Sequence, residues 1–284
     1  EQMRVLAHIA RKYDRGYGHF TTRQNIQYNW PDLEDVPSII DDLAAAGMHA
    51  IQSSGNCIRN TTSDPFAGVA ADEILDPRPY CEFIRQWSTF HPEFAFLPRK
   101  FKIAVSGATE DRAAIKFHDI GLKLLRSDDG EPIFEVWVGG GQGRAPAVGQ
   151  LINADLPRKH LLSYLEAILR VYNRHGRRYN KYKARIKILV RTLGVDAFRD
   201  EVEAEWRENR ESCLQLSETE MEAMAEHFIP NHYDALPETL LTELNERLLD
   251  TDFDQWLKYN TQAHQKTGYT GVLISLKNGH LPPG

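Results

Sequence analysis

The run Leu97-Pro98-Arg99-Lys100-Phe101-Lys102-Ile103 constrains this chain most, because cationic and apolar side chains alternate in it directly after a proline. In a strand, where successive side chains point to opposite faces, Lys100 and Lys102 share one face while Phe101 and Ile103 share the other. One face is then packed and the other carries two ammonium groups. Such a pair attracts an anion. The same residues also suit a half-exposed edge strand whose lysines are merely solvated.

At 284 residues, 42% of them hydrophobic and 26% charged, the chain has the composition of an ordinary globular protein, with enough length for one large domain or two smaller ones. No apolar run approaches the roughly 18 residues of a membrane-spanning helix. The opening residues Glu1 to Ile9 have the pattern of an amphipathic helix rather than of a secretory leader, so the expected compartment is the cytoplasm. Cys57, Cys81 and Cys213 are few and widely spaced, which argues against a disulfide framework. The net charge of −6 hides an asymmetry. Between Arg158 and Arg191 the cations face Glu166 as their only acid, whereas acids dominate from Asp200 to Glu205 and from Glu218 to Glu222. The basic stretch reads as a region that wants a polyanion.

Met3, Leu6, Ile9 and Ala10 predict a first helix over about 2–14, ended by Gly16 and Gly18. His19 to Tyr28 reads as one strand, and Val36, Ile39, Ile40 and Leu43 predict a second helix that stops at Gly47. Tyr80, Phe83, Ile84 and Trp87 form an apolar helical face after Asp76-Pro77-Arg78-Pro79. Phe101 to Val105 is a strand, and Ile120–Arg126 with Ile133–Val138 form a hairpin across Ser127-Asp128-Asp129-Gly130. Helices are predicted at about 159–175, 180–193 and 195–208, then helical pieces through an acidic connector, and strand composition returns at 269–276. On the predicted helix 180–193, Lys181 with Arg185 and Lys183 with Lys187 would form two neighbouring cationic rows.

Four segments carry a further signal in order: Thr21-Thr22-Arg23-Gln24-Asn25-Ile26-Gln27, Asn56-Cys57-Ile58-Arg59-Asn60, Leu97 to Lys102, and Val138-Gly139-Gly140-Gly141. Together they resemble the sirohaem-dependent sulfite/nitrite reductase family. The resemblance runs through most of the chain and is weak only from about Trp206 to Asp254. It implies an α+β fold: a ferredoxin-like half domain over 1–50 with its first strand missing, a mixed α/β sirohaem and iron-sulfur half domain over 51–208, an acidic helical connector over 209–264, and the start of a second ferredoxin-like repeat over 265–284. On this reading the chain is expected to be a portion of a longer reductase, inactive alone, with the strand at 269–276 as a candidate to fill the vacant sheet position.

The implied activity is the six-electron reduction of sulfite to sulfide, with nitrite reduction as the alternative. Implied cofactors are sirohaem and a 4Fe-4S cluster; the cluster's cysteine ligands are absent from this sequence, so the chain is expected to hold no cluster by itself. Arg59, Lys100 and Lys102 match the family's anion-contacting cations. Thr21, Arg23, Gln27, Asn60, Arg99, Gly140, Gly141, Arg144, Lys181, Lys183, Arg185 and Lys187 match or neighbour positions that bind the macrocycle. Sulfite or nitrite, a ferredoxin or flavoprotein electron donor and the remaining half of the same protein are the implied partners, with no membrane. Without the resemblance, Thr21, Arg23 and Gln27 read as a polar strand face, and Gly139 to Gly141 as a loop. A non-catalytic module whose basic helix 170–191 binds nucleic acid through Tyr172, Tyr179 and Tyr182 is a competing reading, although it gives the Lys100 strand no role. A degenerate structural subunit is a third. His91, His118, His160 and His175 have no ligand spacing and read as capping or surface residues.

Overall fold

The computed structural model describes residues 1–229, 233, 251–276 and the backbone of 280–281. The chain divides into two compact units, residues 1–54 with the end of the chain from 274, and residues 55–273.

In the first unit, α1 (Gln2–Tyr13) buries Ile9 and Ala10, and α2 (Val36–Ala45) begins with a proline in its first turn and buries Ile39. Between them lies a hairpin rather than the single strand predicted over 19–28. β1 (Gly18–Phe20) pairs antiparallel with β2 (Ile26–Gln27), His19 opposite Gln27, and the residues between them turn. The other edge of β1 is taken by the strand His280–Leu281, Gly18 opposite Leu281. Of the segment predicted to fill that place, 269–276, residues 270–272 pair instead within the second unit. There β9 (Thr270–Val272) pairs with β8 (Thr261–Ala263) in a ribbon, and Gly268 takes the left-handed conformation its turn requires, at φ 87°.

The second unit is built on a five-stranded mixed sheet. Its order is β3 (Thr62–Ser63), β4 (Ile103–Ser106), β5 (Ile120–Arg126), β6 (Pro132–Val138) and β7 (Gln150–Pro157). β3, β4 and β5 run parallel to one another, and β5, β6 and β7 form an antiparallel meander. β6 buries every second residue, Phe134, Val136 and Val138 among them, as the alternation demands. β7 escaped the sequence reading because bulges against Phe134 and Val136 break its period, leaving Ile152 and Leu156 as its buried residues.

Packed on this sheet are α3 (Arg78–Ser88) and α4 (Leu161–His175), the latter buried over nearly its whole length. α5 (Ile186–Leu193), α6 (Val195–Asn209) and α7 (Glu218–Glu226) follow, and α8 (Thr251–Asn260) precedes the ribbon. The predicted helix over 180–193 therefore forms only from Ile186. Connector residues 230–232 and 234–250 lie outside the described set.

The charge asymmetry of the sequence is largely spent inside the fold. α4 packs on α6, so the cations of one meet the acids of the other: Arg170 and Arg174 pair with Glu205, and His175 pairs with Glu201. Arg170 also reaches Glu93 and Glu166, and Arg158 pairs with Glu218. Of the stretch read as wanting a polyanion, Lys159, Arg178, Lys181, Lys183 and Arg191 stay exposed, as does the paired Arg174. His160 stands at the N-cap of α4 but makes no capping bond; its ring is buried against Trp206.

Two glycines separate packing from backbone strain. A Cβ on Gly121 of β5 would lie 2.3 Å from the Ile115 carbonyl oxygen, whereas Gly130 in the β5–β6 turn has φ 86° and open space around it. Gly121→Ala should cost about 1–3 kcal/mol by overpacking and Gly130→Ala about 1 kcal/mol by strain. Thermal melts of both variants should therefore show the larger drop for Gly121→Ala; equal drops would refute this account.

Candidate anion and cofactor site

The site of the second unit starts from Phe101, which is fully buried and anchors the cationic run. Its N–H donates to the Cys57 carbonyl at 3.0 Å, its carbonyl accepts from the Arg59 N–H at 2.8 Å, and Leu97 N donates to Asn56 O at 2.7 Å. The segment 56–59 is thereby laid beside 97–101, parallel at Ile58 and Phe101. This pairing brings Arg59 next to Arg99 and Lys100, and Asn60 lies half-buried just beyond. Lys100 and Lys102 are both half-buried while Phe101 and Ile103 are fully buried, so the predicted alternation holds.

Beneath these cations lies Asp119, fully buried, a residue that the sequence reading did not single out. One of its oxygens accepts the Lys102 N–H at 2.9 Å. Arg185 donates to the carboxylate through Nε at 3.0 Å and through Nη2 at 2.7 and 2.8 Å. The Asp119 backbone carbonyl also accepts from Gly139 N at 3.0 Å. Burial pushes the Asp119 carboxyl up from its ordinary range, while Arg185 and the Lys102 N–H pull it down. Its only sequence signal was an acid placed immediately before an apolar strand.

Electrostatically the cluster is short of anions. The Lys100 ammonium is held below the ordinary lysine range, first by burial and then by Arg59, Arg185 and Arg99, with Asp119 opposing. Arg59 is lowered for the same leading reason, burial, with Arg99 adding to it. A multiply charged anion bound here would relieve that repulsion.

The glycine loop after β6 is held from within. A Cβ on Gly140 would lie 2.3 Å from the Lys116 carbonyl and 2.6 Å from that of His118, so glycine is demanded here by the protein's own backbone. Gly141 and Ala147 exchange backbone hydrogen bonds at 2.9 and 2.8 Å. Lys187, buried, donates to the carbonyls of Gln142, at 3.0 Å, and Ala145, so its ammonium ties this loop down. Arg144 is exposed and makes no side-chain hydrogen bond or ion pair among the described residues.

The paired rows of Lys181 with Arg185 and Lys183 with Lys187 do not form. Residues 177–185 turn rather than coil into a helix, because the Asn180 side chain accepts the Tyr182 N–H and Arg185 is drawn out, in extended conformation, to Asp119. Lys181 and Lys183 are exposed, with Lys181 over the Tyr182 ring. Tyr172 is fully buried and donates to Ala184 O, so it cannot stack on a base as the nucleic-acid reading required.

In the first unit, Thr21, Arg23 and Gln27 do not share a strand face. The Thr21 hydroxyl accepts from the N–H groups of Arg23 and Asn25, its backbone N–H donates to Asn25 O at 2.8 Å, and Gln24 has φ 56°. Arg23 is buried, while Gln27 is exposed and donates to Asn29.

Residues 54–210 match the nitrite and sulphite reductase 4Fe-4S domain, and residues 1–46 the nitrite/sulfite reductase ferredoxin-like half domain. Over 208 residues the chain is 34% identical to the sulfite reductase [ferredoxin] 1 of Mycolicibacterium paratuberculosis, covering 73% of this chain and 37% of the relative. It is 36% identical over 209 residues to the ferredoxin–nitrite reductase of Leptolyngbya laminosa, covering 71% and 41%. The solved structure of the Mycobacterium tuberculosis NirA protein superposes with TM-score 0.67 at 32% identity, over 73% of this chain and 38% of that one. A dissimilatory sulfite reductase I shares the fold at TM-score 0.61 and 10% identity, covering 88% of this chain and 74% of that one. The chain thus spans about two fifths of the length of the curated relatives it matches.

Removing one partner of a buried, hydrogen-bonded pair is costly. Asp119→Asn should destabilise the protein by about 3–5 kcal/mol, and the double replacement Asp119→Leu with Arg185→Met should recover much of that loss. Thermal denaturation of the three proteins checks it; a double variant as unstable as Asp119→Asn would contradict it. Separately, Arg59→Ala should raise the Lys100 pKa toward the ordinary lysine value, seen as a slower reaction of Lys100 with an acylating reagent at fixed alkaline pH.

Proposed function

Because the chain belongs to the nitrite and sulphite reductase family, we propose that it forms the anion-binding portion of a sirohaem-dependent sulfite reductase supplied with electrons by ferredoxin. The observation that carries this reading is the crowding of Lys100 by Arg59, Arg99 and Arg185 over one buried carboxylate. Sirohaem bears many carboxylates and sulfite is an oxyanion, so a half-buried cation cluster with a deficit of acids fits both.

When bound, sirohaem supplies the iron at which the anion is reduced, and its partner cluster supplies the electrons. The chain's own residues have other tasks. Arg59 offers a permanently charged fork to the oxyanion. Lys100 and Lys102 add compact charges, and the lowered pKa of Lys100 suits it to give up a proton as oxygen leaves as water. Arg99, Lys181 and Lys183 are assigned to the macrocycle's carboxylates, with Arg185 and Lys187 holding the surrounding backbone in place. Asn60, Gly140, Gly141, Arg144 and, on the first unit, Thr21, Arg23 and Gln27 are candidates for the macrocycle by family resemblance alone. Asp119 is a positioning residue, acting through Lys102 and Arg185. Nitrite is the second reading, favoured by a nitrite reductase relative at 36% identity. The cytoplasm is the compartment we assign.

The test uses the longer reductase that contains this sequence. Lys100→Ala and Lys102→Ala should each lower turnover by roughly 10²-fold or more while the sirohaem absorbance and iron content stay at the parent level. Loss of colour instead would make these lysines cofactor holders and would overturn the assignment. Lys100 is an acid, active while protonated, so turnover should fall as pH rises through its depressed pKa. Arg59→Ala should move that alkaline limb upward.

A further inference from the structure

A cavity of about 370 Å³ in the second unit lies away from the anion cluster, at the start of α3. Glu73 and Leu75 of the preceding loop line one side, and Met221 and Ala225 of α7 with Phe228 beyond it line the other. Arg78 also lines it, but its charge is balanced by Asp76 and two of its three nitrogens are committed. Nε and Nη2 donate to both carboxylate oxygens of Asp76 at 2.7–3.0 Å, and Nη2 donates to Phe228 O at 2.9 Å. A Cβ on Gly68 would fall 2.0 Å from Nη2, so the loop closes on the guanidinium and leaves it no room to swing.

Glu73 is different. Its Oε2 accepts the Gly68 N–H at 2.7 Å, and it has no ion pair among the described residues. Asp76 is balanced by Arg78, and Asp64, which also faces Glu73, is bound by Arg112 at 2.8 Å. The net charge of the cavity is then that of Glu73.

We infer that this cavity binds a primary ammonium group carried on a short aliphatic chain, with Glu73 as its counter-ion. An anionic ligand would meet the Glu73 carboxylate and a guanidinium whose charge Asp76 already balances. A purely apolar ligand would cover the carboxyl without offering it a donor, which is costly. An ammonium offers three donors, and its methylenes cover Leu75, Met221 and Phe228. Proton release accompanies such binding. Burial raises the Glu73 carboxyl to about 7, the Gly68 N–H and Arg78 favour its ionised form, and Asp76 and Asp64 oppose it. The same chemistry is presented by a free alkylamine or by a lysine side chain of another protein.

The experiment is a calorimetric titration of the 284-residue chain with n-butylammonium chloride at about pH 6 and about pH 8, at constant ionic strength. Saturable binding on the order of millimolar is expected at the higher pH, and about tenfold weaker binding at the lower, as a carboxyl titrating near 7 gains its proton. Glu73→Gln should abolish binding at both pH values, and Ala225→Trp, which fills the cavity and leaves Glu73 in place, should abolish it too. Folding of each variant is checked by its melting curve, and n-butanol should not compete. Equal binding of Nα-acetyl-lysine amide would point to a lysine side chain as the ligand, and its exclusion to a free amine. Absence of saturable binding to the parent chain, affinity independent of pH, or affinity that survives Glu73→Gln in a folded protein would overturn the proposal.

Discussion

A single buried carboxylate, Asp119, fixes the arrangement on which the cationic site depends. It joins strands that sequence keeps apart: the Lys102 N–H before β4, the Gly139 N–H after β6 through its backbone carbonyl, and the guanidinium of Arg185 ahead of α5. Bringing a carboxylate out of water costs several kcal/mol, and only a well-formed set of charge-assisted hydrogen bonds offsets that cost. Because the Lys102 backbone is tied to the carboxylate, the side chains of Lys100 and Lys102 have one direction left to them under the strand period. A single negative charge below thus orders several positive ones above it, and their mutual repulsion makes the surface receptive to an oxyanion.

Charge in this chain sorts into two classes by the partner it finds. The helix cations Arg170 and Arg174 meet Glu93, Glu166 and Glu205, and these pairs join α4 to α6 and to the loop after α3. The cations from Arg177 to Lys183 find no such acids among the described residues. What looked in sequence like one long basic region is therefore a structural stretch up to His175, an outward stretch beyond it, and a structural end where Arg185 meets Asp119 and Lys187 the Gln142 carbonyl. The first division falls at Gly176, where a Cβ would lie 2.4 Å from the Pro98 side chain and where the chain leaves the helix.

Periodicity made much of the fold legible. Phe101 and Ile103 against Lys100 and Lys102, the β5–β6 hairpin, and the apolar face of α3 all follow from side-chain alternation at the strand or helix period. Two of the misses share a physical cause, a local pattern overruled by a side chain bonding to backbone or to a distant charge, and the third is a break in strand period. The Thr21 hydroxyl turns what reads as a strand, Asn180 and the Asp119–Arg185 pair unwind what reads as a basic helix, and bulges hide β7. Of the site, the cations were legible because a strand period can be read from one segment. Asp119 was not, because its importance lies in three contacts far from it in sequence.

The glycine loop shows how far residue type alone can carry a functional assignment. A run of glycines beside a proposed macrocycle suggests close backbone approach to the ligand, yet Gly140 is required by the carbonyls of Lys116 and His118. Lys187, likewise, matches a cofactor-binding position and spends its ammonium on two carbonyls of the same loop. Burial lowers its pKa and Arg185 adds to that effect, so the charge is retained against a cost that the loop's carbonyls offset. A cation in this situation shapes the wall of a site. Lys100, which Arg59, Arg185 and Arg99 crowd against the opposing pull of Asp119, is the cation we assign to the anion itself.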